Sequence, residues 1–208
     1  MTSIRSCVLL YVAFIAVSFS STAAQPIESF PHGLAIEFGV GQNNLYWSGN
    51  GPEGPFGWVP MARTDFQLAP DVRITYQRAL TEQFGLLPFL GYTEVGGINR
   101  IDRASQYTFR VLEAGITLLF KASDFSIGPG FKEKYNLTVV YDGDNGKIHE
   151  DQTPIFPSWS SSAGFRASYQ VAPLTFSIEA WFGASNLLGP PGWSVHENHY
   201  RCFVGYTI

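Results

Sequence analysis

Cysteine is nearly absent from this 208-residue chain, which has only Cys7 and Cys202. Cys7 sits in an N-terminal apolar run, so the body of the protein holds one thiol and no internal disulfide. The fold must stand without covalent staples, and Cys202 reads as a small apolar strand residue. Charge is also scarce, at 14% of residues, and what there is leans acidic, with 17 Asp and Glu against 13 Lys and Arg. A phosphate footprint needs a basic surface, so nucleic acid is excluded as a partner. Beyond the N-terminal run no apolar stretch approaches the roughly 20 residues of a membrane helix. What the chain has instead is 21 glycines, 13 prolines and 15% aromatics, the mixture of an all-β chain with many turns.

The N-terminus carries Arg5, then the apolar run Cys7 to Phe19, then "SSTAA". That order is the pattern of a cleaved secretory signal, with the cut expected after Ala24. Residues 25–31 are then a short leading segment and 32–208 the folded domain. Without Arg5 the remainder holds 12 basic and 17 acidic residues, a net charge of −5.

Eight segments of the remainder alternate with a period of two. "LAIEFGVG" sets Leu34, Ile36, Phe38 and Val40 against Glu37 and two glycines. "VRITYQ" sets Val72, Ile74 and Tyr76 against Arg73, Thr75 and Gln77. "FGLLPFLGY" follows, interrupted by Pro88. In "YTFRVLEAGITLLF" the apolar face changes sides between Val111 and Leu112, a slip that a β-bulge would repair. "FSIGPGFKEKYNLTVVY" sets Phe125 through Val139 and Tyr141 against Lys132, Lys134 and small polar residues. "WSSSAGFRASYQV" and "LTFSIEAWFG" alternate cleanly, and "HYRCFVGYTI" ends the chain.

The connections alternate long and short: four long loops and the three turns "RALTEQ", "KASD" and "AP". In an up-and-down meander every long loop then falls at one end. A soluble ligand-binding barrel shares this period with its faces reversed. Here the polar face is Gly, Ser and Thr with scattered charges, too few for a solvated exterior. Tyr76, Tyr92, Tyr141, Trp159, Tyr169 and Tyr206 fall near strand ends, as in an interfacial aromatic girdle. The expectation is an all-β, eight-stranded antiparallel transmembrane barrel with its apolar face outward.

The ending "FVGYTI" resembles the C-terminal assembly signal of bacterial outer-membrane barrels, with Gly205, Tyr206 and Ile208 in the matching places. Over residues 32–208 the architecture resembles the small eight-stranded outer-membrane barrels of the OmpX, OmpA-domain and OmpW-like type. The resemblance implies residence in the outer membrane of a Gram-negative-type bacterium. It also implies contact with membrane lipid and lipopolysaccharide, and recognition by the barrel-assembly machinery.

Projected inward, the strands supply Glu37, Arg73, Glu113, Lys132, Lys134, Arg166, Glu179 and Arg201, five bases and three acids. Buried charges must pair, so these are expected to form a network that plugs the lumen. Three rival readings stand beside the plugged, non-enzymatic barrel: a small gated pore, a lipid A-modifying enzyme and a soluble binder of apolar ligands. Catalysis would use a histidine with a serine and a carboxylate. The candidate cluster is "SVHENHY", read as loop, with His196, Glu197 and His199. No cofactor or metal set is expected, since "GGINRIDR" lacks the phosphate-loop Lys and "DGDNG" reads as a turn. An extracellular ligand would meet the long loops, where Tyr46, Trp47, Phe56, Trp58 and Trp193 stand ready.

Overall fold

The computed structural model describes residues 32–49, 64–65, 67–99, 106–143, 148–154, 156–186 and 193–208. The expected signal segment, Phe56 and Trp58 lie outside them. Eight long strands carry the fold: β1 (Gly33–Gly49), β3 (Gln67–Ala79), β4 (Phe84–Asn99), β5 (Gln106–Ala122), β6 (Phe125–Gly143), β8 (Trp159–Val171), β9 (Leu174–Gly183) and β10 (Trp193–Thr207). Two short strands, β2 (Thr64–Asp65) and β7 (Ile148–Asp151), pair with β4 and β6.

Every pairing is antiparallel, and β10 closes on β1 from Ala35↔Thr207 to Gly49↔Trp193. The paired row Ala35, Thr75, Phe89, Gly115, Lys132, Ser162, Gly183, Glu197 returns to β1 at Leu45, ten residues further along. Strands staggered this way tilt across the barrel wall and leave a lumen that side chains fill.

Alternation fixes the faces. Phe38, Val40, Ile74, Leu90, Leu118, Phe131, Phe165, Ile178 and Val204 are exposed on the outside. Lys132, Arg166, Arg201 and Ser162 are buried within. A solvated protein would reverse this, so the exterior is built for hydrocarbon. Tyr76, Tyr169 and Tyr206 stand outward near the turn end. Tyr92, Tyr135 and Trp159 stand outward toward the loop end, the last two with ring centroids 5.0 Å apart.

The three short turns are Leu80–Gln83, Ser123–Asp124 and Ala172–Pro173. Thr81 Oγ1 accepts the Phe84 N–H at 3.0 Å in the first. In the second, Ser123 takes φ 59°, which gives a two-residue hairpin a twist matching its strands.

Two expectations change. The phase slip lies in β6, not β5. β5 alternates without interruption, with Tyr107, Phe109, Val111, Glu113, Gly115, Thr117 and Leu119 all buried. The register shifts where Arg110 faces Thr138 but Val111 faces Asn136, leaving Leu137 as the extra residue. Beyond it Val139 and Tyr141 turn inward; Tyr141 packs 5.0 Å from the Tyr107 ring and is no part of the girdle. The inward-facing apolar residues of β5 had read as a slip because the lumen was expected to be polar throughout. The strands also outrun the expected loops. Residues 42–49, 93–99 and 193–198 are strand, because Leu45, Val95 and Val195 continue the buried alternation. Tyr46, Trp47 and Trp193 therefore lie on strands, not in loops.

Candidate functional site: the barrel lumen

The lumen is filled in layers. Of the charged layers, the one nearest the turn end is a ring of two arginines and two glutamates, one charge each from β1, β3, β8 and β9. Arg73 Nε donates to Glu37 Oε2 at 2.6 Å, and its two terminal nitrogens donate to Glu179 at 2.9 and 2.5 Å. Arg166 closes the ring, donating to Glu37 Oε1 at 2.7 Å and to Glu179 Oε1 at 2.8 Å. Trp181 Nε1 adds a bond to Glu179 Oε2 at 2.7 Å. The Arg73 guanidinium also lies between two rings, 3.8 Å from the Phe203 centroid and 4.9 Å from that of Phe89. Bidentate geometry and full burial make this the best-satisfied part of the lumen.

The next layer centres on Glu113. Lys132 Nζ donates to its Oε2 at 2.7 Å and Arg201 Nη1 to its Oε1 at 2.6 Å. Arg201 Nε stands 3.4 Å from Asp71 Oδ2, and Nη2 reaches Thr93 Oγ1 at 3.3 Å. Lys132 Nζ also lies 4.8 Å from the Trp181 ring centroid. Above this, Lys134 pairs with Glu197, and His199 Nε2 lies 3.1 Å from Glu197 Oε2. Arg201 Nη2 donates to His199 Nδ1 at 3.1 Å, which makes Nδ1 the acceptor of that bond.

At the loop end the lining turns apolar. Leu45, Val95, Tyr107, Phe109, Val111, Val139 and Val195 converge, and Phe156 enters from the segment between β7 and β8. Its ring meets Phe109 edge-on at 5.0 Å and Tyr107 at 6.0 Å. The β6 bulge anchors that segment. Asn136 N–H donates to the Ser158 carbonyl at 2.8 Å, Asn136 Nδ2 to that of Pro157 at 2.8 Å, and Val139 N–H to Thr153 Oγ1 at 2.9 Å.

No protein-family model matches the chain, and no curated protein matches it. Solved structures do. Neisserial surface protein A aligns over 85% of this chain and 97% of its own, with a TM-score of 0.57 at 13% identity. The attachment invasion locus protein Ail of Yersinia pestis aligns over 86% of this chain and 100% of its own, with a TM-score of 0.50 at 13% identity. The fold is that of a small eight-stranded outer-membrane β-barrel. With its apolar face outward, the chain is a protein of the bacterial outer membrane.

The barrel places all eight projected charges, Glu37, Arg73, Glu113, Lys132, Lys134, Arg166, Glu179 and Arg201, inside its wall and buries them. It adds Asp71 and Glu197, which lie just outside the strand segments drawn from the sequence, and His199, which opens the segment "HYRCFVGYTI" but is grouped there with the loop cluster. Parity would have found them: Asp71 is two residues from Arg73, and His199 and Glu197 are two and four from Arg201. The count becomes five acids and five bases, so the positive excess read from the sequence is gone. "SVHENHY" is strand, not loop. His199 is fully buried inside while His196 faces out, so the two histidines share no site. Among the described residues no metal-binding cluster occurs. Gly205 faces inward against Glu37, where a Cβ would lie 3.0 Å from Glu37 Cγ. Tyr206 and Ile208 are exposed on the wall. Asn136 is buried, with its side chain bonded to the Pro157 carbonyl.

Proposed function

We propose that this barrel is a non-conducting, non-enzymatic anchor that presents its loop end to partners outside the cell. The observation that carries the reading is the layered filling of the lumen. The Glu37–Arg73–Glu179–Arg166 ring spans it at the turn end, and the cluster around Phe156 fills it at the loop end. A pore needs a continuous water path, and each layer interrupts it by a different means, one ionic and one apolar. Equal numbers of buried acids and bases also leave no sign of charge to select an ion. A lipid-modifying enzyme needs a histidine beside a serine. His199 is committed to Arg201 and Glu197, and His149 to Asp142 at 2.6 Å.

The outward Tyr, Trp, Leu and Phe residues are the surface for membrane lipid and lipopolysaccharide. The C-terminal strand, with Gly205, Tyr206 and Ile208, is the segment offered to the assembly machinery. The test is a planar-bilayer recording of purified protein, alongside adhesion of cells that express it. The reading expects no discrete conductance steps and adhesion above that of empty-vector cells. Stepwise conductance by the wild-type protein would replace the anchor with a pore.

A further inference from the structure

Above the apolar cap, β6 runs on to Gly143 and the chain folds back as β7, in register from Val140↔Asp151 to Gly143↔Ile148. The other side of this part of β6 is taken by β5, through Gln106↔Asp142 and its neighbours. Among the described residues β7 pairs with β6 alone, so its far edge is open. The ladder phase tells which groups that edge presents. Gln152 N–H donates to the Val139 carbonyl at 2.8 Å, which makes 139 and 152 a hydrogen-bonded pair. In an antiparallel ladder such pairs alternate, so Glu150 bonds back to Tyr141. The N–H and C=O of His149 and Asp151 then point away from β6. All four β7 side chains are exposed, and two of them, Glu150 and Asp151, are acidic.

We infer that the open edge of β7 docks an extended, basic segment of a partner protein, which adds to the projecting β5–β6–β7 sheet as its next strand. This rests on the surface-interaction reading and names the surface. Backbone bonds to His149 and Asp151 give the attachment, and the acidic side chains choose the partner's charge. The same short, charged edge rejects apolar and acidic strands, which keeps it from pairing with copies of itself.

The experiment uses the full-length barrel in nanodiscs and two fluorescent peptides, Lys-Val-Lys-Val-Lys-Val and Glu-Val-Glu-Val-Glu-Val, read by anisotropy. The basic peptide binds and the acidic one does not. His149→Pro removes one outward N–H and leaves the inward ladder intact, because that N–H takes no part in it. It weakens binding about tenfold, the worth of one or two backbone hydrogen bonds. His149→Ala loses the imidazole, keeps the N–H and binds as the wild type does. A heat-dependent shift in electrophoretic mobility shows that each variant is folded. Equal binding by wild type and folded His149→Pro overturns the docked strand and leaves only charge attraction, as does binding of both peptides alike. Failure of the adhesion assay with this peptide pattern intact would remove the surface role while the edge site stands.

Discussion

Arg73 shows what a buried charge does when every partner is in place. It binds Glu37 and Glu179 and lies against Phe203, with no part of the guanidinium in water. Removing it leaves two carboxylates with Arg166 as the one cation bonded to both. Arg73→Ala is expected to cost about 3–5 kcal/mol, the range for breaking a buried pair by one partner. Urea unfolding in lipid vesicles measures it, and a loss under 1 kcal/mol would mean the ring is kept for something other than stability. Outside the barrel the sign reverses. Ile178→Arg puts a charge on the exposed lipid face and is expected to cost about 2–4 kcal/mol in the same assay. Gly164 is a third case, decided by space. A Cβ there would strike the Ala180 carbonyl and lie 2.7 Å from Trp181 Cε3. Trp181, which bonds Glu179, can lie across that strand because residue 164 has no side chain.

The β6 bulge governs a whole element. One extra residue, Leu137, turns Val139 and Tyr141 into the lumen. It also frees backbone groups that tie down the segment carrying Phe156. Deleting Leu137 is expected to return Val139 to the outer face and release the Phe156 segment. Protease cleavage between residues 150 and 158, slow in the wild type, would then become rapid while the barrel still resists SDS; unchanged cleavage would contradict the anchoring role. The same segment holds a local pH response. Bonds from the Thr153 hydroxyl, at 2.5 Å, and the Thr153 N–H, at 2.9 Å, hold the Asp151 carboxyl below its ordinary range. A depressed pKa means the turn's contribution is present above the ordinary carboxylate value and is lost as pH falls through the lowered one. Thr153→Ala is expected to move the Asp151 titration upward by NMR, and no movement would assign the shift elsewhere.

For the whole molecule, the proposed lack of conductance rests on closure at two levels. Phe156→Ala opens the apolar cap but leaves the ring of Glu37, Arg73, Arg166 and Glu179, so bilayer recordings of that variant are expected to stay silent. Conductance from this single change would mean the ionic ring does not seal. Closure also explains how the barrel stands with Cys202 as a free thiol. A closed barrel pairs every strand along its wall, and its stability rests on that ladder and on the lumen in place of disulfides.

The alternation of the strands, the three tight turns and the outward Phe, Leu and Ile were set by the sequence alone, because period two depends only on neighbours along the chain. Parity also sent Glu37, Arg73 and Arg166 inward, and the same rule applied two residues further would have added Asp71 and His199. Partner choice was beyond it. That Arg73 also takes Glu179, and that Arg201 shares Glu113 with Lys132, depends on the ten-residue stagger of closure, which brings together positions more than 80 residues apart. The side of the bulge was equally hidden. A change of phase looks alike in β5 and in β6 until the register between them is known, and only the folded ladder places the extra residue at Leu137.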